Sequence, residues 1–213
     1  MNAADVLIRA GAAALPVDLN AVAAAHDIKI VSYESCADYL GMSVQQLYAE
    51  ISPLGFSFRE GGRFIAAINH NACGGLRRRW TMAHELSHIF LGHIGVDMKR
   101  MEESCERAAD SFAAELLAPL TVLHFCGVSS AAETARLCGL SKQAAEIRFR
   151  QLQELRRKNS AEYRQGRGMA LLLGESDRQL YEQYMPFVSE YITRRSAHDG
   201  YAEHLKHTSI VWR

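Results

Sequence analysis

The first seventy residues alternate between stretches with a helical spacing of apolar side chains and stretches with a strand spacing. An Ala-rich run over residues 3–14 precedes Pro16, and a second apolar run follows Asp18. Both runs predict helices, because Asp is a favoured N-cap and Pro cannot continue a helix. Apolar and polar residues alternate in Ile28–Tyr33, which predicts a half-buried strand. Residues 36–51 return to the helical spacing and predict another helix.

Two short runs of strand-forming residues flank a pair of glycines. Residues 54–59 and 63–68 each contain aromatic or branched side chains, and Gly61 and Gly62 lie between the runs. A Gly-Gly pair suits the two-residue turns that join antiparallel strands. The pattern therefore predicts a β-hairpin.

From the hairpin onward, the spacing is that of amphipathic helices. The predicted helices cover residues 77–95, 102–118, 131–137, 142–158 and 176–195. Pro119 ends the second of them. A region that contains strands is therefore followed by a region that is entirely helical.

Composition and charge narrow the class of protein. The chain has 213 residues, of which 48% are hydrophobic, so it can bury a core without disulfides. Lys+Arg and Asp+Glu are both 24, so the net charge favours neither nucleic acid nor a membrane as partner. No apolar run approaches the ~18–20 residues of a membrane span, and no signal peptide is recognised. The five cysteines are odd in number and form no CxxC pair, which is typical of reduced thiols and predicts a cytoplasmic location.

His84-Glu85-Leu86-Ser87-His88 is an HExxH motif. Residues four apart share one helix face, so the imidazoles of His84 and His88 can reach one tetrahedral zinc ion. Glu85 then lies beside the zinc-activated water, where it can act as general base in peptide-bond hydrolysis. Imidazole and carboxylate ligands also suit Mn²⁺ and Fe²⁺, so these metals are alternatives.

A catalytic zinc needs a third protein ligand. The metzincin spacing fails, because Leu91 and Ile94 stand where that pattern needs Gly and His. A carboxylate from the next predicted helix is the alternative. The candidates are Glu102, Glu103, Glu106, Asp110 and Glu115.

Glu106 is the preferred third ligand and Glu115 the second choice. Glu106 and Asp110 are four residues apart at the edge of an apolar helix face. Asp110 can accept a hydrogen bond from the outer nitrogen of a ligand histidine, and so hold its tautomer. His93 is assigned a supporting position at the end of the HExxH helix.

The segments Arg79–His88, Leu91–His93 and Glu106–Pro119 together resemble the ImmA/IrrE metallopeptidases. The resemblance implies a gluzincin-like α+β fold, with a small antiparallel sheet beside two zinc-binding helices. It also implies a cytoplasmic endopeptidase that cuts a transcriptional repressor. Three positions depart from the family's usual residues: Ala108, Asp110 and Ala118. The position that the family uses for its third ligand is Glu106.

Residues 131–155 match a helix-turn-helix, with Ser141 as N-cap of the second helix. Nine basic and three acidic residues lie between Arg136 and Arg167, a balance that suits phosphate contacts. The residues assigned to DNA or partner contacts are Lys142, Gln143, Arg148 and Arg150. A helix-turn-helix is also a packing unit, and docking of a repressor substrate is favoured over DNA.

The predicted organisation is a metallopeptidase domain over residues 1–120, a helix-turn-helix-like unit over 121–165 and a helical segment over 166–213. The competing function is a DNA-binding or repressor-docking protein with a structural or sensory metal site. Oligomeric state is not predicted. Further candidates are Cys73 as a fourth ligand, and His93, Tyr48 and Tyr184 as donors to the oxyanion. Tail histidines His198, His204 and His207 are expected to be exposed.

Overall fold

A computed structural model describes residues 1–72, 74–94, 103–164 and 174–199. The strands are β1 (Ile28–Ser32), β2 (Gly55–Glu60) and β3 (Arg63–Ile68). The helices are α1 (Ala3–Arg9), α2 (Leu19–Ala25), α3 (Tyr33–Leu40), α4 (Val44–Glu50), α5 (Gly75–Phe90), α6 (Glu103–Leu117), α7 (Leu120–Phe125), α8 (Ala131–Cys138), α9 (Lys142–Arg164) and α10 (Glu175–Asp199). The predicted α+β class is confirmed. No helix in these ranges is both long and apolar enough to cross a membrane.

The three strands form one sheet in the order β1-β3-β2. β2 and β3 are antiparallel, and Gly61 and Gly62 turn between them at φ 54° and 86°, which confirms the predicted hairpin. The expectation of an antiparallel sheet is wrong in one respect, because β1 pairs with β3 in parallel. The helices α3 and α4 connect β1 to the hairpin, and a crossover of this length permits parallel pairing.

Two of the predicted N-terminal helices have different bounds. α1 ends at Arg9, before Gly11 at φ 64°, and not at residue 14. The helix predicted over residues 36–51 is split at Gly41, which has φ 64° and ends α3. Ser43 then caps α4 with a reciprocal hydrogen-bonded capping box. Left-handed glycines are common helix ends, so both breaks follow from the sequence.

The helices α5 and α6 pack against each other beside the sheet. Ala83, Leu86 and Ile89 from α5 lie in the same core as Phe112 and Leu116 from α6. The apolar faces of both helices are thus buried together, and their polar edges lie side by side.

The HExxH helix is shorter than predicted. α5 ends at Phe90, and Gly92 at φ 76° turns the chain, so that the His93 amide donates to the carbonyl of His88 at 2.9 Å. His93 therefore folds back against the helix that precedes it.

The helical region continues the same core. Gly139 at φ 65° separates α8 from α9, and the Ser141 hydroxyl accepts from the Ala144 amide, as the helix-turn-helix pattern predicts. Leu152 of α9 and Leu180 of α10 belong to the buried cluster that holds the apolar faces of α5 and α6. The domain boundaries after residues 120 and 165 stay a prediction.

Candidate metal centre

His84 and His88 face the same point from one side of α5. Their Nε2 atoms are 3.0 Å apart, and their rings meet edge to face with centroids 4.7 Å apart. The spacing of four residues on a helix produces this convergence. Two imidazole nitrogens are thus positioned to bind one ion.

Glu106 reaches the same point from the start of α6. Its carboxylate oxygens lie 3.3 Å from Nε2 of His84 and 3.6 Å from Nε2 of His88. Four ligands at ~2.0–2.1 Å in a tetrahedron are separated by about 3.3 Å, so the three distances fit a zinc site. Among the described residues, His84, His88 and Glu106 are the group whose ligand atoms can hold a metal ion.

The outer nitrogens of both histidines are also engaged. Nδ1 of His84 is 3.0 Å from Oδ1 of Asp110, and Nδ1 of His88 is 3.0 Å from Nδ1 of His93. Because Asp110 can only accept when ionised, Nδ1 of His84 donates and its Nε2 lone pair faces the metal position. For Nε2 of His88 to bind a metal ion, the proton of the neutral ring must lie on Nδ1, which then donates to Nδ1 of His93.

His88 is the buried ligand of the pair, with a residue exposure of 5%. Burial lowers the pKa of His88 to about 4, and the neighbouring imidazoles of His84 and His93 act in the same direction. The neutral ring is the form that binds a metal. His88 is therefore ready to bind at neutral pH without first losing a proton.

Glu85 extends from α5 toward β2 and is 8% exposed. The hydroxyl of Ser57 on β2 donates to its Oε2 at 2.9 Å. Burial raises the pKa of Glu85 to about 7, while the hydrogen bond from Ser57 and the charge of His84 oppose the rise. A carboxyl group with a pKa near neutrality can both accept and return a proton.

Ser57 was not predicted from the sequence. Its hydroxyl meets Glu85 because β2 packs on α5, which is a contact between residues 28 positions apart. Gly55, on the same strand, lets the two elements approach closely: a Cβ at this position would lie 2.7 Å from Cγ2 of Thr81 and 3.1 Å from Cγ of Glu85. In the sequence, the alternation of side chains between the two faces of β2 is the only indication of which residues face α5.

Within the described part of the chain, the centre is open on the side of α6. The side chains of Glu106 and Asp110 are 47% and 56% exposed, against 19% for His84. A substrate can therefore approach past the carboxylates, while Glu85 and His88 line the buried side.

Glu115, the second choice for third ligand, lies elsewhere. Its carboxylate forms an ion pair with Arg148 and accepts a hydrogen bond from the amide of Leu120 at 3.1 Å. Glu115 lies about two turns beyond Glu106, and its contacts stabilise the C-terminal end of α6. The carboxylate near the Nε2 atoms of both histidines is that of Glu106, whereas Glu103 is highly exposed and pairs with Arg107.

One predicted surface contact is wrong. Arg148 is 5% exposed, and its guanidinium donates to the carbonyl of Ala118 at 2.7 Å and to Glu115 and Gln151. A buried side chain with three protein partners cannot contact DNA. Lys142, Gln143 and Arg150 are exposed on α9 and could make such contacts.

The three candidate donors to the oxyanion differ in their exposure and position. Tyr184 is fully buried on α10, so it cannot donate to a substrate oxyanion, whereas Tyr48 is 53% exposed on α4. His93 adjoins the metal ligands. The candidates outside the described residues are Cys73, Glu102, His204, His207 and the side chain of His198.

Residues 54–150 match the family model of the IrrE N-terminal-like domain, Peptidase_M78. The match begins at the hairpin, contains both helices of the metal centre and ends within α9. No curated protein matches the chain significantly.

Proposed function

We propose, from the premise that residues 54–150 place this chain in the IrrE-like metallopeptidase family, that it is a zinc-dependent endopeptidase acting on a cytoplasmic protein. A helix-turn-helix transcriptional repressor is the substrate class that we prefer. One observation carries the proposal: the donor atoms of His84, His88 and Glu106 converge, and the buried carboxyl group of Glu85 is close enough for the charges of His84 and Glu106 to act on its pKa. This is the arrangement that hydrolysis by a metal-activated water requires.

The donor set suits zinc, with Mn²⁺ and Fe²⁺ as alternatives. Bound there, the ion would lower the pKa of a coordinated water and polarise the carbonyl of the scissile peptide. Asp110 keeps the ring of His84 in the tautomer that leaves Nε2 available, and His93 holds the ring of His88 through its Nδ1. Such partners of ligand histidines raise metal affinity substantially.

Glu85 performs the proton transfers. Its carboxylate takes a proton from the attacking water while oxygen bonds to the peptide carbon, and then delivers a proton to the departing amine nitrogen. Ser57 fixes the carboxylate through Oε2, which leaves the other oxygen to face the substrate. Burial keeps bulk water away from Glu85, so the proton it holds is returned to the leaving group.

An edge strand beside Glu85 supports a polypeptide as the substrate. Among the strands of the described residues, β2 is at the edge of the sheet and pairs with β3 on one side only. An extended peptide can add to such an edge through backbone hydrogen bonds. Since Ser57 and Gly55 of β2 contact Glu85 or closely approach it, a peptide aligned with β2 would run past the general base.

Metal content and cleavage test the proposal together. Wild type purified without a tag and loaded with Zn²⁺ is expected to hold about one zinc per chain, whereas His84→Ala and Glu106→Ala lose it. Glu85→Gln should keep the zinc and lose cleavage of purified helix-turn-helix repressors. Glu103→Gln, an exposed carboxylate on the same helix, is the matched control and should keep both. Cleavage by zinc-loaded Glu85→Gln at the wild-type rate would refute the assignment of the base.

A DNA-binding regulator is the second candidate, favoured by the exposed Lys142, Gln143 and Arg150 near the start of α9. Phosphate contacts make affinity fall steeply with salt. Mobility shifts of random duplex DNA at 50 mM salt, absent at 200 mM and in Lys142→Ala/Arg150→Ala, would support it. No shift at 50 mM would leave docking of a protein as the role of this unit.

A further inference from the structure

A groove of about 480 Å³ lies between the start of α5, the last turn of α6 and the start of α9. Most of its lining is apolar. The apolar side chains that matter here are Leu76, Trp80, Ala114, Ala144 and Ile147. It is separate from the metal ligands, since none of them lines it.

The groove continues the metal centre along both helices. Trp80 precedes His84 by four residues on α5, and Ala114 follows Asp110 by four residues on α6. Four helical residues advance about 6 Å. Because His84 and Asp110 are in contact, the groove opens about one turn from the pair that orients the first zinc ligand. A bound polypeptide can span that distance with about two residues.

Two large apolar side chains at the groove are exposed. Leu76 is 51% exposed and Ile147 is 45% exposed, although Trp80 between the helices is half-buried. Covering such side chains gains roughly 25 cal/mol per Å² of apolar surface. An apolar side chain of a partner would therefore be stabilised between Trp80 and Ile147.

The charge at the groove has one sign. Arg77 is exposed at its edge, and Arg148 lies at its base in an ion pair with Glu115. No acidic side chain of the described residues lines it. An exposed guanidinium beside an apolar surface favours a ligand that places a carboxylate next to an apolar group.

We propose that this groove is a specificity site for the protein substrate. It binds a segment in which a large apolar residue, such as Leu or Phe, is adjacent to Asp or Glu. The apolar side chain enters between Trp80 and Ile147, and the carboxylate pairs with Arg77. The inference rests on the proposed function and deepens it, because α9 then presents the substrate to the metal centre.

Peptide selection on the zinc-loaded Glu85→Gln chain tests the site without turnover. Randomised 12-residue peptides displayed on phage are selected on this immobilised protein, and enriched sequences are counted against the starting library. Apolar–acidic pairs are expected to be enriched at least tenfold. A synthetic copy of the most enriched peptide should bind at least tenfold more weakly to Ile147→Glu and to Ala144→Leu, which fills the groove without adding charge.

Charge reversal distinguishes the partner of Arg77. Selection on Arg77→Glu should replace the acidic neighbour by Lys or Arg and keep the apolar residue. Arg78→Glu, the exposed neighbouring arginine outside the groove, should leave the preference unchanged. Met185→Glu, which charges an exposed apolar residue on α10, is the control for Ile147→Glu.

Absence of the apolar–acidic pattern, or equal binding by the groove variants that retain wild-type thermal melting, overturns the inference. The proposed function fails separately, through loss of zinc or of cleavage. If cleavage is intact and the selected peptides ignore the groove, only the specificity site is refuted. If selection follows the groove and no protein is cut, the site docks a partner and the endopeptidase proposal fails.

Discussion

Ser57 is the side chain that ties Glu85 to the sheet. Its hydroxyl is a single donor to a buried carboxylate, and hydrogen bonds to charged groups contribute about 1.5–3 kcal/mol. We expect Ser57→Ala to lower kcat about tenfold or more, with KM and zinc content unchanged, because Glu85 loses its fixed orientation. Steady-state kinetics with parallel metal analysis measure this effect. Ser57→Thr keeps the hydroxyl and should recover most of the rate; equal losses in both variants would contradict a positioning role.

His124 on α7 makes stability depend on pH. Burial lowers the pKa of His124 to about 4, the positive charge of Arg156 adds to this, and its Nδ1 has no partner among the described residues. The unfolded chain takes up this proton near pH 6.5 and the folded chain only near pH 4. Stability is therefore full above pH 6.5 and falls as the pH drops toward 4.

The expected loss at His124 is about 3 kcal/mol between pH 7 and pH 4. His124→Leu removes the titrating group, so its free energy of unfolding should decline less over the same range. Urea unfolding of both proteins at several pH values measures the difference, in which the titration of all other groups cancels. Parallel pH curves for the two proteins would show that His124 titrates normally.

At the scale of elements, the approach of β2 to α5 sets the position of Glu85, the proposed general base. A methyl group on Gly55 would overlap Thr81 and press on Glu85, so Gly55→Ala must move the strand away from the helix. We expect Gly55→Ala to lower the free energy of unfolding by about 1–3 kcal/mol. We also expect kcat to fall at temperatures where the variant is still folded, because Glu85 is displaced. Gly75→Ala, at the start of α5 with open space around it, should be neutral or stabilising and is the matched control.

The helices and strands also show which features of the sequence are sufficient to predict an element. The hairpin, the Asp18 cap and the helix-turn-helix carry local turn and capping residues, and these predictions agree with the structure. Gly41 and Gly92 are the same kind of local signal for a helix end, and the helices predicted over residues 36–51 and 77–95 wrongly continue through them. The parallel pairing of β1 could not be predicted, because nothing in residues 28–32 specifies the direction of a partner strand from elsewhere in the chain.

In the metal centre too, some features can be predicted from the sequence and others cannot. Convergence of His84 and His88 follows from helix geometry alone, and the choice of Glu106 over Glu115 follows from its spacing to Asp110. The contact of Ser57 with Glu85 cannot be predicted from the sequence, because it depends on how β2 packs on α5. Arg148 was assigned to the surface because a basic residue on a polar helix is usually exposed. Its burial depends on the C-terminal end of α6, whose carbonyl at Ala118 it satisfies.

At the scale of the whole molecule, Arg148 joins α9 to the helix that carries Glu106. Removing one partner of a buried ion pair leaves an uncompensated charge, which typically costs 3–5 kcal/mol. Glu115 is partly exposed, so we expect Arg148→Met to lower the free energy of unfolding by about 2–3 kcal/mol in a single transition. Chemical unfolding followed by circular dichroism, with zinc affinity measured alongside, records both changes.

Arg150→Met is the matched control, since Arg150 is exposed two residues further along the same helix. It should change stability by less than about 0.5 kcal/mol. If both arginines instead proved neutral for stability and both weakened binding to DNA, α9 would be a recognition helix and not part of the metallopeptidase core. The expected pattern, loss at Arg148 alone, means that α9 supports the end of α6 and thereby the approach from the groove to the metal centre.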